Sequence, residues 1–338
     1  MARPDPLQNK LVVLTGGSGF LGRYVAQALL QRGARVRIAS RRPETAFSLK
    51  PLANLGQLQF ARCDLHNADS TAAVVRDANA VVNLVGTFGD DALALMGSAA
   101  GRLAQAARDA GATAFVQISA IGADPASETA YAKGKALGES EVRDAFPKAT
   151  ILRPSIVFGE DDTFLNMFAG LIRIMPILPV FGPDAKLQLV HADDVAEAVT
   201  VALGDPLKHG GKTYELGGPE ALTMMQINER IAAAQGRSRT FLPVPDRVSG
   251  IFAAIPGTPM SADQWTLLQQ GSTVAAEARG FKQLGITPRP LSLFLDKWMT
   301  RYRRQGRFTA PNRMTSSAPA FAANPRPEKV LAKPEKQD

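Results

Sequence analysis

Short apolar runs alternate with amphipathic stretches along the first half of the chain. Lys10–Leu14 reads as a buried parallel strand. Phe20–Gly33 reads as a helix with Leu21, Val25, Ala28 and Leu29 on one face and Gly33 at its stop. Ala34–Ser40 is a second strand, Leu58–Ala61 a third that ends at Cys63-Asp64-Leu65, and Ala80–Val85 a fourth that ends at Gly86. A helix over Ala92–Ala110, a strand over Ala114–Ser119 and a helix over Ser127–Asp144 follow, and Thr150–Arg153 begins a sixth strand. This order predicts a doubly wound parallel α/β sheet with right-handed crossovers and helices on both faces. It is expected to occupy residues 9–160, behind an N-terminal extension over 1–8. Past Phe158-Gly159 the pattern loosens into short helices and Pro-rich connections such as Met175–Pro179. Residues 161–308 are expected to form a smaller C-terminal α/β lobe. Within it, Leu187–Val190 and the His191–Val195 segment are expected to return a strand and a helix (186–204) to the main sheet. From Thr309 to Asp338, five prolines and only scattered apolar side chains predict a disordered tail.

The first strand-to-helix connection carries the clearest chemistry. Thr15-Gly16-Gly17-Ser18-Gly19-Phe20-Leu21-Gly22 is a glycine-rich turn with the spacing G-x-x-G-x-x-G. Such a turn lets backbone N–H groups approach a pyrophosphate, with the helix N-terminus pointing at the negative charge. With a strand before it and a helix after it, the motif predicts a Rossmann-type dinucleotide site formed by Gly16, Ser18, Gly19, Phe20 and Gly22. An NAD site would place an acid near the end of the second strand, to hold the ribose 2′-OH. This chain has Ser40-Arg41-Arg42 there, and no acid before Glu44. Guanidinium groups at that point favour a 2′-phosphate, so Arg41 and Arg42 predict NADP(H) over NAD(H).

Composition narrows the field further. The single cysteine, Cys63, excludes an intrachain disulfide and suits a reducing compartment. His66, His191 and His209 lie too far apart in sequence to offer metal-ligand spacing, and no metal is expected. No apolar run approaches the roughly 18 residues of a membrane span, and MARPDPLQNK lacks a signal-peptide core. A cytosolic or peripheral protein is expected. The net charge is +8, but the basic residues sit in no nucleic-acid-binding motif, so no nucleic acid is expected as a partner. One cluster stands apart: Lys297–Phe308 holds five basic residues and three aromatics. That mixture fits an anionic membrane surface, a protein partner, or a final helix docked by its aromatics with the arginines in water.

Tyr131 and Lys135 form a Y-x-x-x-K pair at helical i, i+4 spacing after the fifth strand. A nearby ammonium is expected to lower the tyrosine pKa, readying it for proton exchange with a carbonyl or alcohol. With these motifs in place, residues 8–210 resemble the extended and atypical short-chain dehydrogenase/reductase superfamily. The resemblance implies that Asp64, followed by Leu65, reads the adenine amino group and that Gly86 lines the ribose side. It also implies that Tyr131 and Lys135 hold the nicotinamide ribose and that Pro154 faces the nicotinamide amide. It places a catalytic serine just after the fifth strand. Here Ser119 takes the strand end, and the next two positions are Ala120 and Ile121, neither of which can donate a side-chain hydrogen bond. Ser119 serves only if it can turn into the pocket; loss of such a donor costs on the order of 10²-fold in rate.

A narrower resemblance covers nearly all of residues 8–308. Leu152–Asn166, Val190–Ala198, Tyr214–Pro219 and Gly285–Pro288 are similar to segments of the NADPH-binding accessory subunit of respiratory complex I and its bacterial relatives. This implies NADP(H) held as a structural or regulatory ligand, and complex I subunits as partners at the junction of the hydrophilic and membrane arms. It further implies a peripheral position on the cytoplasmic face of the inner membrane, or on the matrix side in a mitochondrion. Two other readings stay open. One is an active NADP-dependent reductase, dehydratase or epimerase using Tyr131 and Lys135 on a small carbonyl or sugar; the other is a sensor of the NADPH/NADP⁺ ratio.

Overall fold

The computed structural model describes residues 4–89, 91–247, 249 and 261–304. The tail over 309–338, residues 305–308 of the basic-aromatic segment and residues 1–3 of the N-terminal extension lie outside the described residues.

Seven parallel strands form the main sheet. In chain order its first six are β1 (Leu11–Thr15), β2 (Arg35–Ser40), β3 (Leu58–Arg62), β4 (Ala80–Asn83), β5 (Ala114–Ile118) and β6 (Thr150–Pro154). The helices between them are α1 (Phe20–Gln31), α2 (Ala68–Val75), α3 (Ala99–Asp109) and α4 (Ala130–Ala145). Further along come β7 (Val157–Phe158), α5 (Thr163–Ile174), β8 (Ile177–Phe181), β9 (Lys186–Leu187), β10 (Val190–His191), α6 (Ala192–Gly204) and α7 (Pro206–His209). Then follow β11 (Thr213–Leu216), β12 (Leu222–Thr223), α8 (Met224–Ala234) and β13 (Thr240–Val244). The sheet order is β11-β6-β5-β4-β1-β2-β3. Strand order therefore reverses between β1 and β4, and ligands in such sheets bind beyond the strand C-termini at that point.

β1, β4 and β5 are buried along their whole length, as their unbroken apolar runs require. One face of the sheet packs under α1 and α6 through Val12, Leu14, Val25, Leu29, Val195 and Val199. The other packs under α2, α3 and α4 through Val13, Val81, Leu103, Phe115 and Val142. Three buried polar side chains cross the sheet beneath the site. Thr15 Oγ1 donates to Asn83 Oδ1 at 2.8 Å, and Asn83 Nδ2 donates to Gln117 Oε1 at 2.9 Å. They tie together the C-terminal ends of β1, β4 and β5.

Two expectations need correction. The helix expected over Ala92–Ala110 opens with a wider π turn at Ala94–Ser98 before becoming regular. That turn seats its backbone on the α4 glycines: a Cβ at Gly138 would lie 2.1 Å from the Met96 carbonyl oxygen. The strand expected to return near Leu187–Val190 does not join the main sheet. β9 pairs with β12 and β10 with β7. Helix α6 does return, against α1, but the seventh strand is β11, parallel to β6 with Tyr214 opposite Leu152. Only tertiary pairing distinguishes these short runs. A separate core of Phe158, Leu165, Ile172, Leu178, Val180, Ile227, Ile231, Leu295 and Trp298 supports the C-terminal elements.

Candidate functional site

The glycine turn is shaped by two close approaches. Gly16 has φ +73°, in the left-handed region open to glycine. Gly22, in the first turn of α1, packs so tightly on the turn that a Cβ would fall 2.5 Å from the Gly17 carbonyl oxygen. Gly19 is the N-cap of α1; it supplies no side-chain cap, and the first helical turn holds no acid. The first amides of α1, those of Phe20, Leu21 and Gly22, are therefore available to an anion. Ser18, half-buried, precedes the cap. The Phe20 ring turns the other way: it packs edge-on against Tyr24 at 5.3 Å and lies beside Gly159. Phe20 can thus serve an anion through its backbone N–H alone. In the same turn Arg23 pairs with Asp161, joining the nucleotide helix to the start of α5.

β2 runs parallel to β1 with Ala39 opposite Thr15, so Ser40, Arg41 and Arg42 emerge at the same end of the sheet as the glycine turn. Ser40 Oγ is buried without a hydrogen-bond partner. Arg41 and Arg42 are exposed, and among the described residues neither guanidinium is engaged in an ion pair or hydrogen bond. This donor set suits a phosphorylated ribose. Asp64, exposed at the end of β3, accepts the His66 backbone N–H at 3.0 Å through Oδ1. Leu65 points into the core under α2 and α3, leaving only its backbone for a nucleotide. His66 Nε2 lies 2.8 Å from Asp91 Oδ2, joining the segments that follow β3 and β4. Sequence spacing offered no signal for that contact.

The acid–base candidates differ most from expectation. Lys135 is buried, and its Nζ donates to the carbonyls of Val85 at 3.1 Å and Ile118 at 3.0 Å. Burial pulls its pKa down to about 8 against the opposing charge of Glu139. Its ammonium sits 3.3 Å from where a Cβ on Gly86 would stand, so a larger residue at 86 would crowd it. Tyr131 stacks flat on Phe88, with centroids 4.3 Å apart and an interplanar angle of 13°. Burial pushes the Tyr131 hydroxyl up to about 12, so the expected lowering by Lys135 is not found. The physical reason is that desolvation dominates while the ammonium is spent on backbone carbonyls.

Ser119 is buried, and its hydroxyl is already engaged. Its Oγ donates to Glu139 Oε1 at 2.6 Å. Glu139 also takes two hydrogen bonds from Arg153, at 2.7 and 2.8 Å, and Arg153 reaches Glu215 at 3.6 Å. The serine is thereby one member of a buried polar network that links β5, α4, β6 and β11. Pro154 is buried at the end of β6, and its carbonyl accepts the Ile121 N–H at 3.1 Å. His191 is also structural: its ring stacks on Phe294 at 4.0 Å, and Nδ1 caps α6 by accepting the Asp193 N–H. Among the described residues no cluster of three or more His, Cys, Asp or Glu could hold a metal ion.

The glycine cradle at the strand-order reversal agrees with what sequence comparison finds. Residues 12–217 match the model of the NAD dependent epimerase/dehydratase family. The chain is 31% identical over 301 residues to mouse (Mus musculus) NADH dehydrogenase (ubiquinone) 1 alpha subcomplex subunit 9, covering 85% of this chain and 79% of that one. This chain belongs to the NAD dependent epimerase/dehydratase family, in its branch of complex I accessory subunits. The NADH-ubiquinone oxidoreductase 40 kDa subunit of Neurospora crassa is similarly close, 31% identical over 88% of this chain and 80% of its own length. Among solved structures, Citrobacter sp. triphenylmethane reductase complexed with NADP(H) superimposes with TM-score 0.68. It is 18% identical and covers 86% of this chain and 99% of the reductase, a likeness of fold. The family is NAD(P)-binding. Among the described residues no helix is long and apolar enough to cross a membrane.

Proposed function

We propose that this chain is an NADP(H)-binding accessory or assembly subunit of respiratory complex I, with the nucleotide held mainly as a structural or regulatory ligand. One observation carries the reading. The N-terminus of α1 carries no side-chain cap and no acid in its first turn, which leaves its amides to an anion, while the hydroxyl that would polarise a substrate, that of Ser119, is bound to Glu139 at 2.6 Å. Gly16, Ser18, Gly19, Phe20 and Gly22 would hold the pyrophosphate, and Arg41 and Arg42 the 2′-phosphate. Asp64, with the Leu65 backbone, would contact adenine. Gly86, Tyr131, Lys135 and Pro154 would line the nicotinamide and its ribose. The nucleotide supplies hydride chemistry when bound; here its main effect would be to stabilise the 9–160 lobe by mass action. The 297–308 segment would dock to the membrane or to a partner subunit at the junction of the hydrophilic and membrane arms, on the cytoplasmic or matrix side.

Tagged purification from gently solubilised membranes tests this reading. Recovery of NADH:quinone oxidoreductase subunits together with bound NADP(H) is the expected result. A free protein that consumes NADPH with a carbonyl substrate overturns it. The second reading, an active reductase, dehydratase or epimerase, is favoured by Lys135 Nζ lying 5.8 Å from the Tyr131 ring. Steady turnover abolished by Tyr131→Phe would establish that alternative.

A further inference from the structure

Strands β8 and β13 form a parallel ribbon at the edge of the C-terminal core, with Ile177 opposite Thr240 and Pro179 opposite Leu242. Alternation sends Leu178 and Val180 inward and leaves Ile177, Pro179, Thr240 and Leu242 exposed on the outer face. Ile177 and Leu242 are each 50% exposed, and Ile174, at the end of α5, is 72% exposed. Three large aliphatic side chains on this ribbon and at the helix end that leads into it therefore stand in water. A ribbon edge could instead recruit another strand, but Pro179 and Pro243 lack the N–H groups that such pairing needs.

Arginines gather around these aliphatics. Arg173 precedes Ile174, and Arg239 precedes Thr240, donating to the carbonyls of Ile172 at 2.7 Å and Arg173 at 3.4 Å. Arg237 donates to the Tyr302 carbonyl at 3.2 Å, and Arg173 and Arg301 both approach the Tyr302 ring. Burial, and after it the charges of Arg239, Arg173 and Arg304, hold the Arg237 pKa below the usual arginine value. The α5–β8 stretch 163–181, residues 235–244 and residues 296–304 together carry seven basic residues and one acid, Asp296, which pairs with Arg303 at 3.5 Å. Concentrating like charge around exposed aliphatics costs stability unless an anionic, partly apolar surface neutralises it. A second copy of this chain would bring arginine against arginine, so self-association is disfavoured.

We propose that this face, with Ile174, Ile177 and Leu242 ringed by Arg173, Arg239 and Arg304, seats the protein on an anionic lipid surface. The aliphatic side chains would enter the headgroup–acyl boundary while the guanidinium groups meet lipid phosphates. The inference deepens the complex I reading and rests on it for the membrane concerned, but the face is testable on its own. It also assigns a use to residues 297–304 of the 297–308 segment, which close one side of the face.

Cosedimentation of the full chain with vesicles is the test, using phosphatidylcholine alone and phosphatidylcholine with 30% phosphatidylglycerol at about 50 mM salt. Salt-sensitive binding to the anionic vesicles alone is expected. R173E/R304E should weaken it by about a hundredfold or more, and I174S/I177S/L242S by about tenfold. Unchanged thermal midpoint and dinucleotide affinity show that each variant is folded; K297E/R304E is the second charge variant should the first fail to fold. Equal binding to neutral vesicles, no binding to anionic ones, or unchanged binding by the folded variants overturns the proposal. So does capture by polyglutamate that is as tight as vesicle binding and indifferent to the aliphatic substitutions, which assigns the face to an acidic protein. Copurification with complex I subunits but no affinity for anionic vesicles overturns this inference and leaves the complex I reading standing. Vesicle binding without copurification does the reverse.

Discussion

Gly22→Ala asks whether the turn and α1 must approach as closely as a pyrophosphate cradle requires. The new Cβ would stand 2.5 Å from the Gly17 carbonyl oxygen and 2.6 Å from its carbonyl carbon and Cα. Comfortable carbon contacts begin near 3.5 Å, so turn and helix must separate by roughly 1 Å. The obstructing atoms are backbone and cannot swing aside. Overpacking of this kind costs about 1–3 kcal/mol. Because the displaced segments carry the anion-facing amides, nucleotide affinity should fall by about tenfold to a hundredfold. Titration calorimetry with NADPH, beside thermal unfolding without nucleotide, separates the two effects. Gly170→Ala is the control: it lies inside α5 with nothing within 4 Å of its would-be Cβ. That change should leave affinity alone and stabilise the fold by about 1 kcal/mol through helix propensity. If folded Gly22→Ala binds NADPH as the wild type does, the turn is not the cradle.

Other perturbations probe the rest of the site. Arg41→Ala/Arg42→Ala should weaken NADPH binding by roughly ten- to a hundredfold and leave NADH binding unchanged, as competitive titration would show; equal losses for both argue against a 2′-phosphate contact. Glu139→Ala strips Ser119 and Arg153 of their shared buried partner and should cost about 3 kcal/mol in urea unfolding. Glu139→Gln, which keeps an acceptor for Ser119, should cost less. Burial holds folded His191 near pKa 4, below its ordinary 6.5, so the unfolded chain takes up the proton first. Its contribution to stability is complete above pH 6.5 and declines as pH falls towards 4, by up to about 3 kcal/mol. His191→Asn, which retains a capping acceptor for α6, should remove that part of the pH dependence; an unaltered profile would contradict the assignment.

The dinucleotide turn was legible in the chain because every piece of it is local. The apolar run of β1, the three glycines and the amphipathic α1 are consecutive, and backbone sterics restrict what such a segment can become. Ser40-Arg41-Arg42 was equally legible, since a strand end has a known place relative to its neighbour. The short runs after residue 158 were not. Leu187–Val190 and Thr213–Leu216 are both apolar enough to pair, and the choice of β11 for the main sheet followed from packing against β6.

The chemistry divides along the same line. Helical spacing alone brings Tyr131 and Lys135 to one face. It cannot tell how deeply they are buried, nor that Phe88 lies flat on the tyrosine and two carbonyls hold the ammonium. Ser119 looked uncertain from its position; the Glu139 carboxylate, 20 residues away, decided its role. The arginine-ringed face likewise draws on α5, the β8–β13 ribbon and the 297–304 segment, which no window of sequence contains together. Local backbone geometry and residue type, written in consecutive positions, determined the fold class and the glycine turn at the N-terminus of α1. Desolvation, side-chain partnership and shared surface depend on residues far apart in the chain, and only the tertiary structure could decide them.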